Sequence, residues 1–330
     1  MNIDKGLNYG IIGNCKSSAL INEDSSIDWC CLPQFDSSAI FCKIIDNHIG
    51  GSFKIEADES YIITQQYINN TAIVRTNFKN EKNEFEVLDF MTRYKLDDQN
   101  FYSPPEIQRL IKPIKGLPKI KVLYNPTLEY ANGKTKTYEK EDFIVSVFDE
   151  ASYETLFLYT DIEKKKILEN KEFELSKSVY LNLSYNEKID LPSLSKSEEE
   201  FKKTQEYWLN WCKKSPSFKS YNKEITRSSI TLKLLTFEKT GAVLAAATTS
   251  IPETIGEVRN WDYRFCWIRD ASMVIKIIAK LGHQRIVKNF IDFIVNLIPN
   301  KNEKLQIMYG IDGQKTLTEK ILKHLSGYKN

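Results

Sequence analysis

Residues 251–271 read IPETIGEVRNWDYRFCWIRDA, and the fold of the whole chain turns on them. Arg259, Trp261, Asp262, Tyr263, Arg264, Trp267, Arg269 and Asp270 set charged and aromatic side chains side by side. Charges alone would make a solvated loop, and aromatics alone a core. Interleaved, they suit a pocket that stacks on a flat face and hydrogen-bonds hydroxyls, and sugars offer both features. From Ile268 to Leu281 the spacing predicts a helix with Val274, Ile277, Ile278 and Leu281 on one face. Four residues back along that face lies Asp270, so a carboxylate falls on the buried line at the first turn. Either this acid pairs with the helix dipole and caps free N–H groups, or its buried charge needs a partner. Arg264, Arg269 and the hydroxyls of a ligand are the candidate partners.

Further along the chain, Ile286, Val287, Phe290, Ile291, Ile294 and Leu297 predict another helix, closed by Pro299. Gly310–Gly313 mark a turn, with a short helix or none after it. On the N-terminal side, AVLAAATTS (242–250) is small and apolar, hence buried. Lys223–Glu238 reads as a helix with Ile225, Ser229, Leu232 and Leu235 on one face and Gly241 as its stop. Ser195 with Glu198 suggests a capping box. It would open a helix through Phe201, Gln205, Trp208 and Trp211, whose charged run KSEEEFKK is its solvated face. Residues 1–190 read as strands instead. A hairpin joins 73–78 to 85–90 through the polar turn KNEKNE, DFIVSVFD (142–149) pairs with YETLFLYT (153–160), and VYLNLSY (179–185) alternates. Asn22–Ser26 and Gly50–Gly51 punctuate the start of this region. Many short strands at close spacing argue for an antiparallel sandwich, with a change to helices near Leu191–Pro192.

Length and composition bound the reading. The 330 residues suggest two domains, and 42% apolar with 27% charged residues fits a globular chain. A formal net charge of +2, with no long block of one sign, points to neither nucleic acid nor an anionic membrane surface. Nothing at the N-terminus has the form of a signal peptide, and no run approaches a membrane span. The six cysteines show no metal or C-x-x-C spacing, so they read as free, mostly buried thiols in a reducing cytoplasm. The three histidines form no cluster, and His283, next to Gly282, reads as helix-end polarity.

IPETIGEVRNWDYRFCWIRDASMV strongly resembles the start of the catalytic domain in glycoside hydrolase family 15, the glucoamylase and trehalase-like family. YGIIGNCKSSALINEDSSIDWCCLPQFDSSAIF resembles that family's prokaryotic N-terminal domain. RSSITLKLLTFEKTGAVLAAATTS and LQIMYGIDGQKTLTEKILKHLSGYKN resemble adjoining segments, so the likeness covers nearly the whole chain. Asn14 stands where an acid is common, and Ala247 where proline is common. The resemblance implies an α+β multidomain protein: an N-terminal antiparallel β-supersandwich over 1–192, a linker helix over 193–219 and, from 220 to 330, the start of an (α/α)6 barrel. It implies inverting, exo-acting hydrolysis of α-glucosidic bonds in an oligosaccharide or disaccharide, without a cofactor. Arg269 and Asp270 would hydrogen-bond the sugar at the non-reducing end. Trp267, Trp261, Asp262 and Tyr263 would wall and shape its pocket.

Inversion needs an acid and a base about 6.5–9.5 Å apart. In the family both are glutamates beyond the matched segment, and Glu253 and Glu257 do not match them, so no catalytic residue is assigned. Twelve barrel helices of about 11–12 residues with connections of about 2–8 need on the order of 200 residues. The chain after Leu194 is shorter, and its last residues, SGYKN, end inside the family match. This chain by itself is therefore expected to be inactive, with the acid and base beyond Asn330. The alternative is a sugar-binding or pseudoenzyme piece that keeps Arg269 and Asp270 without the chemistry.

Overall fold

The computed structural model describes residues 7–97, 100–149, 153–298 and 304–329. Pro299, expected to close the last helix, and Asn330 lie outside the described residues. Two large antiparallel sheets make up most of the N-terminal part, with a two-stranded pair of Tyr94–Lys95 and Phe101–Tyr102 beside them. The first runs in the order Tyr9–Gly13, Ser18–Asn22, Ser26–Cys31, Ser52–Glu56, Lys119–Asn125 and Phe173–Glu174, with Ala39–Phe41 paired to the third strand. The second runs in the order Thr135–Glu139, Ile144–Phe148, Thr155–Thr160, Val179–Tyr185, Glu106–Lys115, Glu84–Phe90, Val74–Lys79 and Ile62–Tyr67. The hairpin around KNEKNE forms in register, Val74 against Asp89 and Lys79 against Glu84. Ile144–Phe148 pairs antiparallel with Thr155–Thr160, as the alternation implies.

Alternation along each strand sends one set of side chains inward. Ile21, Ile27, Phe53, Ile55 and Val122 from the first sheet meet Phe78, Phe85, Val87, Ile111, Leu181 and Leu183 from the second in one apolar cluster. Inside this sandwich Arg109 is fully buried. Its Nε donates to Asp89 at 2.7 Å, and its other nitrogens donate to the carbonyls of Phe53 and Ser25, each at 2.6 Å, so one guanidinium ties the sheets together. Val179–Tyr185 is buried at every position. Its inward residues face the sandwich core, while Tyr180 joins Leu88, Phe90 and Leu110 beneath a helix on the outer face.

Two short helical turns, α1 (Leu128–Ala131) and α2 (Lys164–Leu168), interrupt the strands. In the first, Glu129, Tyr130 and Ala131 have φ of 52°, 58° and 58°, a left-handed turn. The long helix on the outer face is α3 (Leu194–Cys212). Its N-cap is Ser193, whose side chain accepts from the backbone N–H of Lys196, and not the expected Ser195. The run KSEEEFKK is not wholly solvated either. Glu200 is buried, where it accepts from Gln108 Nε2 and from Thr92 Oγ1 on the sheet below.

Then come α4 (Asn222–Leu234), α5 (Ile268–Lys280) and α6 (Gln284–Leu297). On α4 the buried residues are Ser229, Ile230, Lys233 and Leu234, so of the expected Ile225–Ser229–Leu232–Leu235 line only Ser229 is buried. The helix also ends before Gly241. That glycine, at φ 86°, lies in a turn so close to α6 that a Cβ would sit 2.5 Å from the backbone of Asn289. On α5 the expected Ile278 and Leu281 are buried, but with Ala271 and Ile275 beside them, while Val274 and Asp270 are partly exposed and Ile277 is exposed. Gly282 at φ 83° reverses the chain between α5 and α6, and no helix follows among residues 314–329. The helices share a second apolar cluster with Ile11, Cys15, Phe35 and Ala72, so they seat directly on the sandwich. Five of the six cysteines are buried and all are free. No described helix is long and apolar enough to cross a membrane.

Candidate functional site

The stretch 251–271 folds as an irregular hairpin leading into α5. Ala246 N–H donates to Tyr263 O at 2.8 Å, Ser250 N–H to Trp261 O at 3.3 Å, and Thr249 bridges Asp262. The tip, 253–261, is exposed throughout. Past the tip the strand-like alternation buries Arg264 and Cys266 and leaves Tyr263, Phe265 and Trp267 half-buried. Cys266–Trp267 pairs with Met308–Tyr309, and Ile268 N–H donates to Ile307 O, which fixes the start of α5.

The buried side of this strand is an anchor. Arg264 grips Asp262 in a fork, Nε to Oδ1 at 3.0 Å and Nη2 to Oδ2 at 2.7 Å, the stronger bidentate form of a charge-assisted bond. Its Nη1 donates to Ser37 O at 2.8 Å on the sandwich, and the guanidinium lies 5.7 Å from the Tyr130 ring. Tyr130 is held there by the left-handed turn of α1, backbone strain of a kind that gathers at functional sites. Burial works against the charge on Arg264, but Cys31, Asp262 and Tyr130 outweigh it and raise its pKa. Burial pushes the neighbouring Cys31 thiol up to about 11, so it stays protonated at neutral pH. Trp29 Nε1 adds a second tie by donating to Ala247 O at 2.8 Å.

On the other side Tyr263 and Trp267 place their rings 6.1 Å apart, and Trp267 Nε1 donates to Asp262 O at 3.1 Å. Two residues on, Arg269 extends into solvent, its side chain 75% exposed. Its Nη2 approaches Asp270 Oδ2 to 3.2 Å without the alignment of a hydrogen bond. Asp270 Oδ2 is enclosed and accepts no hydrogen bond among the described residues. The N-cap of α5, Trp267, makes no side-chain cap hydrogen bond, and Asp270 is the acidic residue of the first turn.

Of the predicted residues, Tyr263 neighbours Trp267, Trp267 bonds the Asp262 carbonyl, and Arg269 lies against Asp270. Asp262 serves Arg264 here, so its side chain shapes the loop. Trp261 sits at the loop tip, where its Nε1 donates to Glu253 Oε1 at 2.9 Å, and Glu253 also pairs with Arg259 at 3.5 Å. Glu253 and Glu257 are exposed at that tip.

Two family profiles match the chain: "Trehalase-like, N-terminal" over residues 7–178 and "Glycosyl hydrolases family 15" over residues 219–330. The chain belongs to the trehalase-like glycosyl hydrolases of family 15. Among its curated relatives is a protein named trehalase from Thermoplasma volcanium, 30% identical over 97% of this chain and 52% of its own length. Another from Thermoplasma acidophilum is 31% identical over 94% of this chain and 53% of its own. Trehalase 2 of Sulfolobus acidocaldarius is 28% identical over 98% and 55%. The chain thus spans about half the length of the curated relatives it matches. Within this family-15 chain the hairpin and the head of α5 fall inside the hydrolase match, while Ser37 and Tyr130, which brace them, fall inside the N-terminal match.

Sequence reasoning missed a second polar cluster. Glu238, expected at the end of a helix, takes Arg93 Nη2 at 2.6 Å and Lys233 Nζ at 3.2 Å. His283, read as helix-end polarity, is buried and stacks on Trp211 at 4.0 Å. The only sign in sequence is an arginine directly after the strand-like run VLDFMT, because the partners come from distant segments.

Proposed function

We propose that this chain supplies the sugar-recognising part of a glycoside hydrolase that cleaves an α-glucosidic disaccharide of the trehalose type. The exposed Arg269 guanidinium beside the partly exposed Asp270 carboxylate carries this reading. Hydrogen bonds to charged groups are the stronger kind, and sugar hydroxyls would meet both a charged donor and a charged acceptor here. Trp267 and Tyr263 supply the apolar wall, and Asp262 acts with Arg264 to hold the wall in place. Trp261 and the tip 253–261 form the rim. The relatives' name, trehalase, supports trehalose over maltose or isomaltose. It also disfavours the non-catalytic alternative.

We further read α4, α5 and α6 as the first helices of an (α/α)6 barrel, after a sandwich over 1–192 and a connecting stretch over 193–219. Support comes from the apolar residues Met273, Ile277, Ile291 and Val295, which α5 and α6 leave exposed as a helical partner layer would require. The general acid and base are assigned to no residue of this chain. The test is glucose release from trehalose, maltose and isomaltose by the enzyme that carries this chain. The reading predicts that trehalose is preferred. Release from maltose or isomaltose but not from trehalose would overturn it.

A further inference from the structure

One edge of the second sheet is unguarded. Its last strand, Ile62–Tyr67, reads IITQQY, with no charge and no proline, and it pairs with Val74–Lys79 without a bulge. Natural sheets guard their edges with lysines, prolines or bulges, because an open row of backbone groups is a template for another strand. The opposite edge of this sheet follows that practice. There Thr135–Glu139 carries Lys136 and Glu139, with Lys140 next, and Lys136 pairs with Asp149. Ile62–Tyr67 lies open to solvent, with Ile62 73% exposed and Thr64 and Gln66 exposed beside it.

The hydrogen-bond pattern says which backbone groups are free. Ile68 N–H donates to Ile73 O at 2.9 Å in the turn that joins the two strands. Opposed residues in an antiparallel pair alternate between bonded and unbonded. Gln66, Thr64 and Ile62 therefore bond to the neighbouring strand, while Gln65 and Ile63 point their N–H and C=O groups away from it. The next turn gives the same phase. Asn80 N–H donates to Asn83 O at 2.9 Å, so Phe78 and Thr76 bond to Glu84–Phe90 and not to the opposed Ile63 and Gln65. Among the described residues, no hydrogen bond outside the ladder reaches the N–H or C=O of Ile63 or Gln65.

The strand is also its own complement. About a two-fold axis at Thr64, Ile63 faces the partner's Gln65, and each such pair can exchange both N–H···O bonds. Thr64 meets the partner's Thr64 and Ile62 meets the partner's Gln66, with no like charges opposed. The two ends of the strand match in charge. It is entered from the exposed acidic turn Asp58–Glu59. At its other end the Arg227 guanidinium lies 3.8 Å from the Tyr67 ring centre and donates to Thr71 O at 2.7 Å, with its Nε enclosed and unpartnered. Antiparallel pairing sets the acidic turn of each copy beside the arginine end of the other.

We propose that Ile62–Tyr67 is a homodimer interface, at which two copies of this chain join their sheets edge to edge about a two-fold axis. A permanent interface buries about 800 Å² on each partner, more than a strand roughly 20 Å long offers, so the dimer forms reversibly with concentration.

Sedimentation of the enzyme that carries this chain, over a concentration series, tests this together with amide hydrogen exchange. A monomer that passes to a dimer is expected, with exchange at Ile63 and Gln65 slowing as the dimer fills. Thr64→Lys sets two like charges against each other at the axis, yet faces solvent in a single copy. It should raise the dimer dissociation constant by about fivefold or more, with the melting temperature in dilute solution unchanged. Tyr138→Lys, a lysine added on the opposite edge, should leave association unchanged. A monomer at every concentration, a dimer indifferent to Thr64→Lys, or growth past the dimer into open polymers would overturn the proposal. So would slow exchange at Ile63 and Gln65 in a monomer, which would give the edge to another segment of the same protein. The interface is independent of the sugar reading of Trp267–Asp270, so either can fail without the other.

Discussion

At the residue scale, two arginines in one short stretch do opposite work. Arg264 is buried and fully committed to Asp262, Ser37 and Tyr130, whereas Arg269 is exposed with one loose contact to Asp270. Arg264→Met should therefore destabilise the chain by about 1–3 kcal/mol, since it leaves Asp262 and the Ser37 carbonyl without their donor. Arg269→Met should leave the denaturant midpoint unchanged. Equal midpoints for the two variants would remove the anchoring role of Arg264. The tryptophans divide in the same way. An iminosugar that fills the site should lose its fluorescence response in Trp267→Phe and keep it in Trp261→Phe, because Trp261 is bonded to Glu253 at the loop tip. The mixture of charge and aromaticity marked this stretch in sequence. It could not tell the buried anchor from the exposed pair, because that difference is made by Ser37 and Tyr130, far away along the chain.

At the element scale, periodicity located all four long helices but set their faces slightly wrong. An i, i+3, i+4 pattern marks an apolar stripe, and the stripe of α5 is wider than its neighbours cover, so Ile277 is exposed while Ala271 is buried. Strand pairs were legible wherever a polar turn separated two alternating runs, as at KNEKNE. The burial of Glu200 was not legible, since its partners Thr92 and Gln108 belong to the sheet beneath α3. The cap of α3 offers a clean check. Ser193→Ala should cost about 1 kcal/mol, and Ser195→Ala less than about 0.5 kcal/mol, the usual range for a surface change. A larger loss at Ser195 would restore the capping box read from sequence.

At the scale of the whole molecule, the helical part depends on the sandwich for its geometry, through Arg264, Trp29 and the shared apolar cluster. The seam beneath α3 also carries a pH dependence. Burial, and then Glu200, raise the pKa of Glu106 to about 7. An acid harder to ionise when folded costs nothing while protonated in both states. The cost grows as pH rises from about 4 and levels off above pH 7. Glu106→Gln should thus stabilise the chain at alkaline pH, with the gain fading as pH falls to about 4. A gain that grew toward acid pH would reverse the assignment.

The central claim is that Asp270, with Arg269, binds the sugar rather than the helix terminus, and kinetics on Asp270→Asn tests it most directly. A hydrogen bond to a charged group is worth about 1.5–3 kcal/mol, and each 1.4 kcal/mol or so is tenfold in rate. Glucose release from trehalose by the enzyme that carries this chain should fall by roughly one to two orders of magnitude, with the melting temperature unchanged. Unaltered kinetics, or a lost melting transition in place of lost turnover, would contradict the account and return Asp270 to a structural role at the head of α5.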